Sequence, residues 1–435
     1  MAGGTWTTQN KVRPGAYVNT KSKNGTAGTA ETVAGVITLP LALDFGPEKQ
    51  IVAIGATSDL TPFGYDLGHE KLLLLREAFK AAETVLVYRV GSGAKAKVVE
   101  GDLTVDALYG GTRGNDINVV SKANINVTGS FDVETYLGGR LVDTQTAEKI
   151  EDLQPNKVVG FTGTGDLTAF SVSLTGGTNV AANVQDYMDY FEKISVFEFN
   201  VMALPVTDEA IKAAGASFIK RLRDEEGKKC QVAIASFAGD HEAVINVKNS
   251  VILEDGTTVT KEQATAWVAG ASAAAGVTTS LTYKEYPNAV DVTPRLLHTE
   301  IVAALKNGEF VFTERRGKVV VEQDINSLRS FTSDKGKDFA KNRVLRVLDN
   351  IANDAMQTFE DHFIGKINND VDGRELFKAN RIAYFDTLQA TGAITNFEAD
   401  DVVVAPGIDK DSILLNVAVQ PVDAMEKLYM TVEVV

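Results

Sequence analysis

The stretch that most constrains this chain is its last eight residues, LYMTVEVV, 428–435. Apolar side chains alternate there: Leu428, Met430, Val432 and Val434 share one face, and Tyr429, Thr431 and Glu433 the other. A period of two is the signature of a β-strand. A strand at an extremity has N–H and C=O groups along both edges, and those groups must find a sheet. The sheet is either the chain's own or that of another chain. On the residues alone both remain open.

A weak counterpart stands at the other extremity. Residues 1–22 are polar and glycine-bearing, with one β-prone piece, Ala16-Tyr17-Val18, after Pro14-Gly15. They read as an arm with no core of its own. Exchanging such ends between copies would join subunits by main-chain hydrogen bonds, each worth about 1 kcal/mol net and nearly independent of sequence.

Between the two ends the texture changes four times. Residues 23–35 read as loop. GVITLPLAL and QIVAIGAT, the helical pattern HEKLLLLREAFKAA and then VLVYRV form a β–α–β texture, and so a layered α/β domain, whose first part is 23–92. Residues 93–180 alternate short β-type runs (KAKVVE, INVVSK, FDVETYL, KVVGFT, AFSVSL) with Gly, Asn, Asp and Thr clusters, predicting an inserted small β-sandwich or barrel. The α/β texture resumes over 181–328. There Asp208 opens one helix that ends near Gly227, and Thr260 with Gln263 makes a capping box for another. A loop is expected near 288–292, and a hairpin over EFVFTERRGKVVVEQ. The last domain, 329–435, is α+β: a long helix between Lys335 and Ile364, a second from about Arg374 to Thr391, then VVVAP, SILLNVAVQPV and the terminal strand. The fold class is thus α/β and α+β multidomain.

A formal net charge of −15 disfavours nucleic-acid backbones and anionic lipid as main partners. The single cysteine, Cys230, precludes an intrachain disulfide and reads as a buried small hydrophobe. MAGGTWTTQN has neither a basic n-region nor an apolar h-region, so no export signal is expected. AWVAGASAAAGV (266–277) is too short to span a bilayer and reads as a helix packed through small residues.

The fragments that resemble sites are each incomplete. His241-Glu242 begins like a zinc-protease helix, but Ile245 stands where the second histidine is required. NNDVDGRE (368–375) places Asn368, Asp370 and Asp372 like calcium ligands before Gly373, yet Ala379 occupies the glutamate position. It reads as a helix–helix loop, with Asp372 a candidate cap. YGGTRGND and GFTGTGD lack the Lys-Ser/Thr pair of a phosphate loop and read as tight turns. No catalytic residue, cofactor site or metal site is assigned.

In order and spacing, several segments resemble the contractile tail sheath proteins of myophages, defective prophages and phage-tail-like bacteriocins. They are RPGAYV (13–18), GTRGN (111–115), WVAGASAAAGVTTSLTY (267–283), VEQDINSLRSF (321–331), FIGKINND (363–370) and AVQPVDAMEKLYMTVEVV (418–435). The inserted β domain is the loosest match.

The resemblance implies a structural, non-enzymatic subunit of a virion tail or tail-like particle, assembled in the bacterial host cytoplasm. Such subunits polymerise helically around an inner tail tube and contract to drive it through a bacterial envelope. The implied partners are other copies of the chain, the tube protein, and baseplate and tail terminator proteins. No nucleic acid, membrane-spanning segment or cofactor is implied. The C-terminal sheath domain is expected to be completed by exchanged strands. Carried onto this chain, the arm strand lies within 11–21, around Ala16, Tyr17 and Val18. The donated strand is 428–435, presenting Leu428, Met430, Val432 and Val434. The receiving strand lies near 412–420, with Ile413, Leu415, Val417 and Val419. A basic helix face, Lys337, Lys341, Arg343 and Arg346, is a candidate for the tube, or else a solvated face. The alternatives are an α/β enzyme with an inserted β domain and a baseplate or adhesin protein that does not polymerise.

Overall fold

The computed structural model describes Gly3–Gly4, residues 15–19 and residues 35–434. The rest of the 1–22 arm, nearly all of the expected loop at 23–35, and Val435 lie outside the described residues. The described chain is mixed α/β and multidomain, and it divides into two compact units.

One unit comprises Thr38–Arg76 and Thr84–Phe197. Its β-sandwich has a four-stranded antiparallel sheet, in the order Arg140–Ala147, Phe131–Leu137, Ile117–Ala123, Phe170–Ser173. A three-stranded sheet, Val159–Thr162, Leu103–Gly110, Lys95–Glu100, completes it. The alternation explains the packing. Leu103, Val105 and Ala107 from one sheet and Ile117, Val119, Val133 and Leu137 from the other enter one core; the residues that alternate with them are less buried, and Thr135 is the polar residue that shares the buried phase of its strand. Two of these strands, Leu103–Gly110 and Arg140–Ala147, were not among the runs expected. The second, RLVDTQTA, is polar at five of its eight positions, and the hairpin register to 131–137 places it in the sheet.

In the same unit Ile51–Gly55 pairs antiparallel with Thr84–Val90. Helix α1 (Leu73–Ala78) is shorter than its sequence pattern. A single 3₁₀ turn at Glu70–Leu72 precedes it, and tight turn bonds end it. Helix α2 (Val184–Ile194) has Asn183 as N-cap, and it turns the fully buried Tyr190 inward. The Thr38 hydroxyl donates to the Leu86 carbonyl, so the 2.7 Å contact between Tyr190 and Thr38 uses the tyrosine proton.

The other unit comprises Met1–Ile37, Glu77–Glu83 and Glu198–Val435. Its parallel strands run Glu309–Phe310, Val244–Val247, Gln231–Ala235, Val201–Leu204. The last three are buried throughout, as continuous apolar strands covered on both faces are. Helix α3 (Glu209–Asp224) is capped by Asp208, which accepts from the N–H groups of Ala210 and Ile211. Helix α4 (Lys261–Ala274) opens on the expected Thr260–Gln263 box. It lies against three of the parallel strands, and Gly270 lets it approach the end of α1: a Cβ there would stand 2.7 Å from the Ala78 carbonyl oxygen. Trp267 stacks on Tyr286, with ring centroids 4.3 Å apart, and Phe312 packs edge-on to Tyr286. The expected loop near 288–292 is instead a strand, Ala289–Thr293, antiparallel to Ser250–Leu253. Pairing with a distant partner decided its state.

Helix α5 (His298–Lys306) and the hairpin Phe312–Arg315/Lys318–Val321 lead to the last part of the chain. Helix α6 (Asn342–His362) is preceded by a 3₁₀ turn at Lys337–Ala340. Helix α7 (Val371–Ala390) begins earlier than expected, because Asp370 and not Asp372 caps it by accepting the Gly373 N–H at 2.8 Å. Val347 of α6 and Phe385 and Leu388 of α7 close a core with Ile394, Phe397 and Val402. Among the described residues no helix is long and apolar enough to cross a membrane.

Candidate functional site

The site with unspent bonding capacity is at the carboxy-terminal end. Val402–Pro406 and Ile413–Val417 form a two-stranded antiparallel sheet, with Val402 opposite Val417 and Pro406 opposite Ile413. The Gly407 N–H donates to the Ser412 carbonyl, and the Ala418 N–H to the Asp401 carbonyl. An antiparallel ladder alternates, so residues 414 and 416 spend their backbone groups inside the pair. Ile413, Leu415 and Val417 turn their N–H and C=O outward. Among the described residues no strand takes that outer edge. The side chains of Leu415, Val417 and Val419 rest on the helical core, which fixes the strand in place while leaving its edge open.

The terminal segment is anchored and then released. Pro421 bridges to Ile394, and the Val422 N–H donates to the Ala393 carbonyl at 2.7 Å. Glu426 accepts from Thr282, Gln323 and Lys341. Burial pushes its carboxyl upward, but those three donors outweigh burial and hold it below its ordinary value. Two residues further on, Leu428 is 85% exposed, and Met430, Val432 and Val434 are 74%, 72% and 98% exposed. Among the described residues, 428–434 take part in no regular strand. The reason is physical: alternation stabilises a strand only when a sheet edge is presented to it. Burying these apolar side chains would contribute roughly 1.5–3 kcal/mol each.

The amino-terminal candidates are placed differently. Ala16 and Tyr17 are half-buried and pair in parallel with Gly3–Gly4 of the same chain, beside α6, and Val18 continues without strand structure. Among the described residues the pairing is two residues long.

The four basic candidates do not form one open face. Lys337 is exposed. Lys341 is committed to Glu426 and, at 3.4 Å, to Asp423. Arg343 is buried, and burial lowers its pKa. Arg346 donates to Asp324 at 2.7 Å and to the carbonyls of Gly276 and Thr279. Partners from distant segments thus take up the charge of Lys341 and Arg346, Arg343 is withdrawn from water, and Lys337 faces solvent.

The remaining fragments are structural. His241 packs beside Glu242, and burial lowers its pKa to about 4. Glu242 accepts from Lys335. Burial pushes the Cys230 thiol up to about 12. In YGGTRGND, Gly111 permits close packing: a Cβ there would lie 1.8 Å from the Asp44 carbonyl oxygen. The anchors of Glu426 had no sequence signal, because they come from positions more than 80 residues away.

Comparison with known proteins bears on this arrangement. Four family descriptions match in succession. They are tail sheath protein Gp18 domain III N-terminal region (34–90), phage tail sheath protein β-sandwich domain (89–179), phage tail sheath protein central domain (181–327) and phage tail sheath C-terminal domain (334–435). The crystal structure of the sheath tail protein from Desulfitobacterium hafniense is 45% identical, covers 96% of this chain and 99% of that one, and superposes with a TM-score of 0.84. This chain belongs to the phage tail sheath family. The phage-like element PBSX protein XkdK of Bacillus subtilis (strain 168) is 43% identical over 467 residues, covering all of both chains. The helical sheath of the anti-feeding prophage in its contracted state shares the sheath fold at 15% identity, with a TM-score of 0.56 over 97% of this chain and 99% of that one. The sheath protein is accordingly a structural component of a phage tail or tail-like particle.

Proposed function

We propose that this sheath protein polymerises helically around an inner tail tube, each copy donating residues 428–435 to a neighbour's sheet. The tube is then driven through a bacterial envelope when the lattice contracts. The observation that carries this reading is the pairing of opposites within one chain. Among the described residues, an apolar, strand-patterned segment has no sheet, and a sheet edge at Ile413, Leu415 and Val417 has no strand. Adding an extended segment to an open edge satisfies both at once. The Ala16–Tyr17 strand would be exchanged for a pairing on another copy, which would join each subunit at both extremities. Bonds of this kind survive rotation of the subunit bodies because they are made by the segments and not by the bodies. The tube protein, baseplate and tail terminator proteins are the further partners of this reading, with assembly in the host cytoplasm. A sheath role displaces the enzyme alternative, since the work is done by assembly and rearrangement.

The test is deletion of residues 428–435. The truncated protein is expected to stay soluble with the melting temperature of the full chain, because those side chains are exposed in the single subunit. Electron microscopy should show no long tubes. Tubes of ordinary length would exclude strand donation.

A further inference from the structure

We infer that Glu426 is a positioning residue: with Thr282, Gln323 and Lys341 it forms a clamp that fixes where the carboxy-terminal segment leaves its own subunit. The inference rests on the strand-donation reading and adds what holds the root of the donated strand. Glu426 Oε1 accepts the Thr282 hydroxyl at 2.7 Å; Oε2 accepts Gln323 Nε2 at 2.7 Å and the Lys341 ammonium. The Thr282 proton has one direction to go, because its oxygen already receives the Asp324 N–H at 3.0 Å and the Ser280 hydroxyl at 3.1 Å.

The Glu426 side chain is 10% exposed, against 85% for Leu428. Met425 before it and Leu428 after it both stand in solvent, so the Glu426 carboxylate is a point attachment in an otherwise exposed stretch. The three donors come from separate segments: the turn after α4, the stretch after the Lys318–Val321 strand, and the residue preceding α6. Behind them Asp324, 1% exposed, accepts from the Leu281 N–H, Asn342 Nδ2 and Arg346. The donors are thus braced by a second buried carboxylate. A neighbour pulling on the donated strand would load this braced post instead of lengthening the backbone from Pro421 onward. Charge-assisted bonds suit that task, being about twice as strong as neutral ones.

The experiment compares full-length Glu426→Ala with the deletion of residues 428–435, by amide hydrogen exchange, thermal melting and electron microscopy. Glu426→Ala is expected to fold, with a melting temperature lower by about 2–4 °C, and to exchange residues 422–427 roughly tenfold faster. Its tubes should be shorter or irregular in pitch. Reversing the pair, Glu426→Lys with Lys341→Glu, should recover part of the protection, which a purely steric role would not. If Glu426→Ala keeps unaltered exchange over 422–427, or builds tubes of full length and order while the deletion builds none, the clamp is overturned and strand donation stands. Long tubes from the deletion overturn both. Should Glu426→Ala fail to fold, Gln323→Leu keeps the charged pair and is expected to raise exchange over the same residues; no change there also overturns the clamp.

Discussion

At the scale of single residues, the protein holds several charges out of water and balances each with partners from distant segments. Arg223 of α3 makes two 2.7 Å bonds to Asp349 of α6 and a third, at 2.9 Å, to the Cys230 carbonyl. Removing one partner strands the other in a poorly solvated site. Asp349→Ala is therefore expected to cost about 3–5 kcal/mol, read from urea unfolding, whereas Arg223→Met with Asp349→Leu should cost much less. His241 gives a pH prediction. It is neutral in the fold down to about pH 4, while its ordinary value is 6.5. Burial is the main cause, opposed by Glu242 and reinforced by Lys335, Lys220 and Arg223. Between those values the unfolded chain binds more protons, so stability should fall as pH is lowered from 6.5 to 4. His241→Gln should flatten that limb in urea midpoints taken across the range. An unchanged slope would show that other groups set it.

At the scale of elements, the two-stranded sheet and the terminal segment have opposite needs. Ile413–Val417 is locked onto the helical core by its side chains and open along its backbone. Residues 428–434 carry the matching alternation, with Leu428, Met430, Val432 and Val434 exposed. A charge on the apolar face separates folding from assembly. Val432 is 72% exposed, so Val432→Asp should leave the subunit's melting temperature unchanged. The same substitution should abolish tubes, because the carboxylate would be buried unpaired between subunits. Polymerisation at the ordinary level, measured by sedimentation, would mean that this face is not buried in the particle.

At the scale of the whole molecule, the proposed work is stored in how copies are joined. Assembly should then proceed equally with ATP or without it, and EDTA should not alter tube yield by light scattering. A yield that collapses with chelator and returns with a divalent cation would point to a metal in the lattice. The net charge of −15 adds a further consequence. Subunits repel one another until specific contacts form, so moderate salt should shorten the lag before assembly.

Local physics made much of this chain readable from its sequence. The Asp208 cap, the Thr260–Gln263 box, the alternating sandwich strands and the apolar parallel strands each follow from contacts a few residues apart, or from which face meets the core. So did the terminal strand pattern, and with it the question of whose sheet would take it. What only the tertiary structure decided involves partners far along the chain. Pairing with 250–253 made a strand of 289–293, and Asp324 and Glu426 drew two of the four basic candidates, Arg346 and Lys341, into internal bonds. The open edge at 413–417 belongs here too, because an edge exists only once every other strand has been placed. Periodicity reports the face a residue shows to its own element; only the assembled fold reports what already stands against that face.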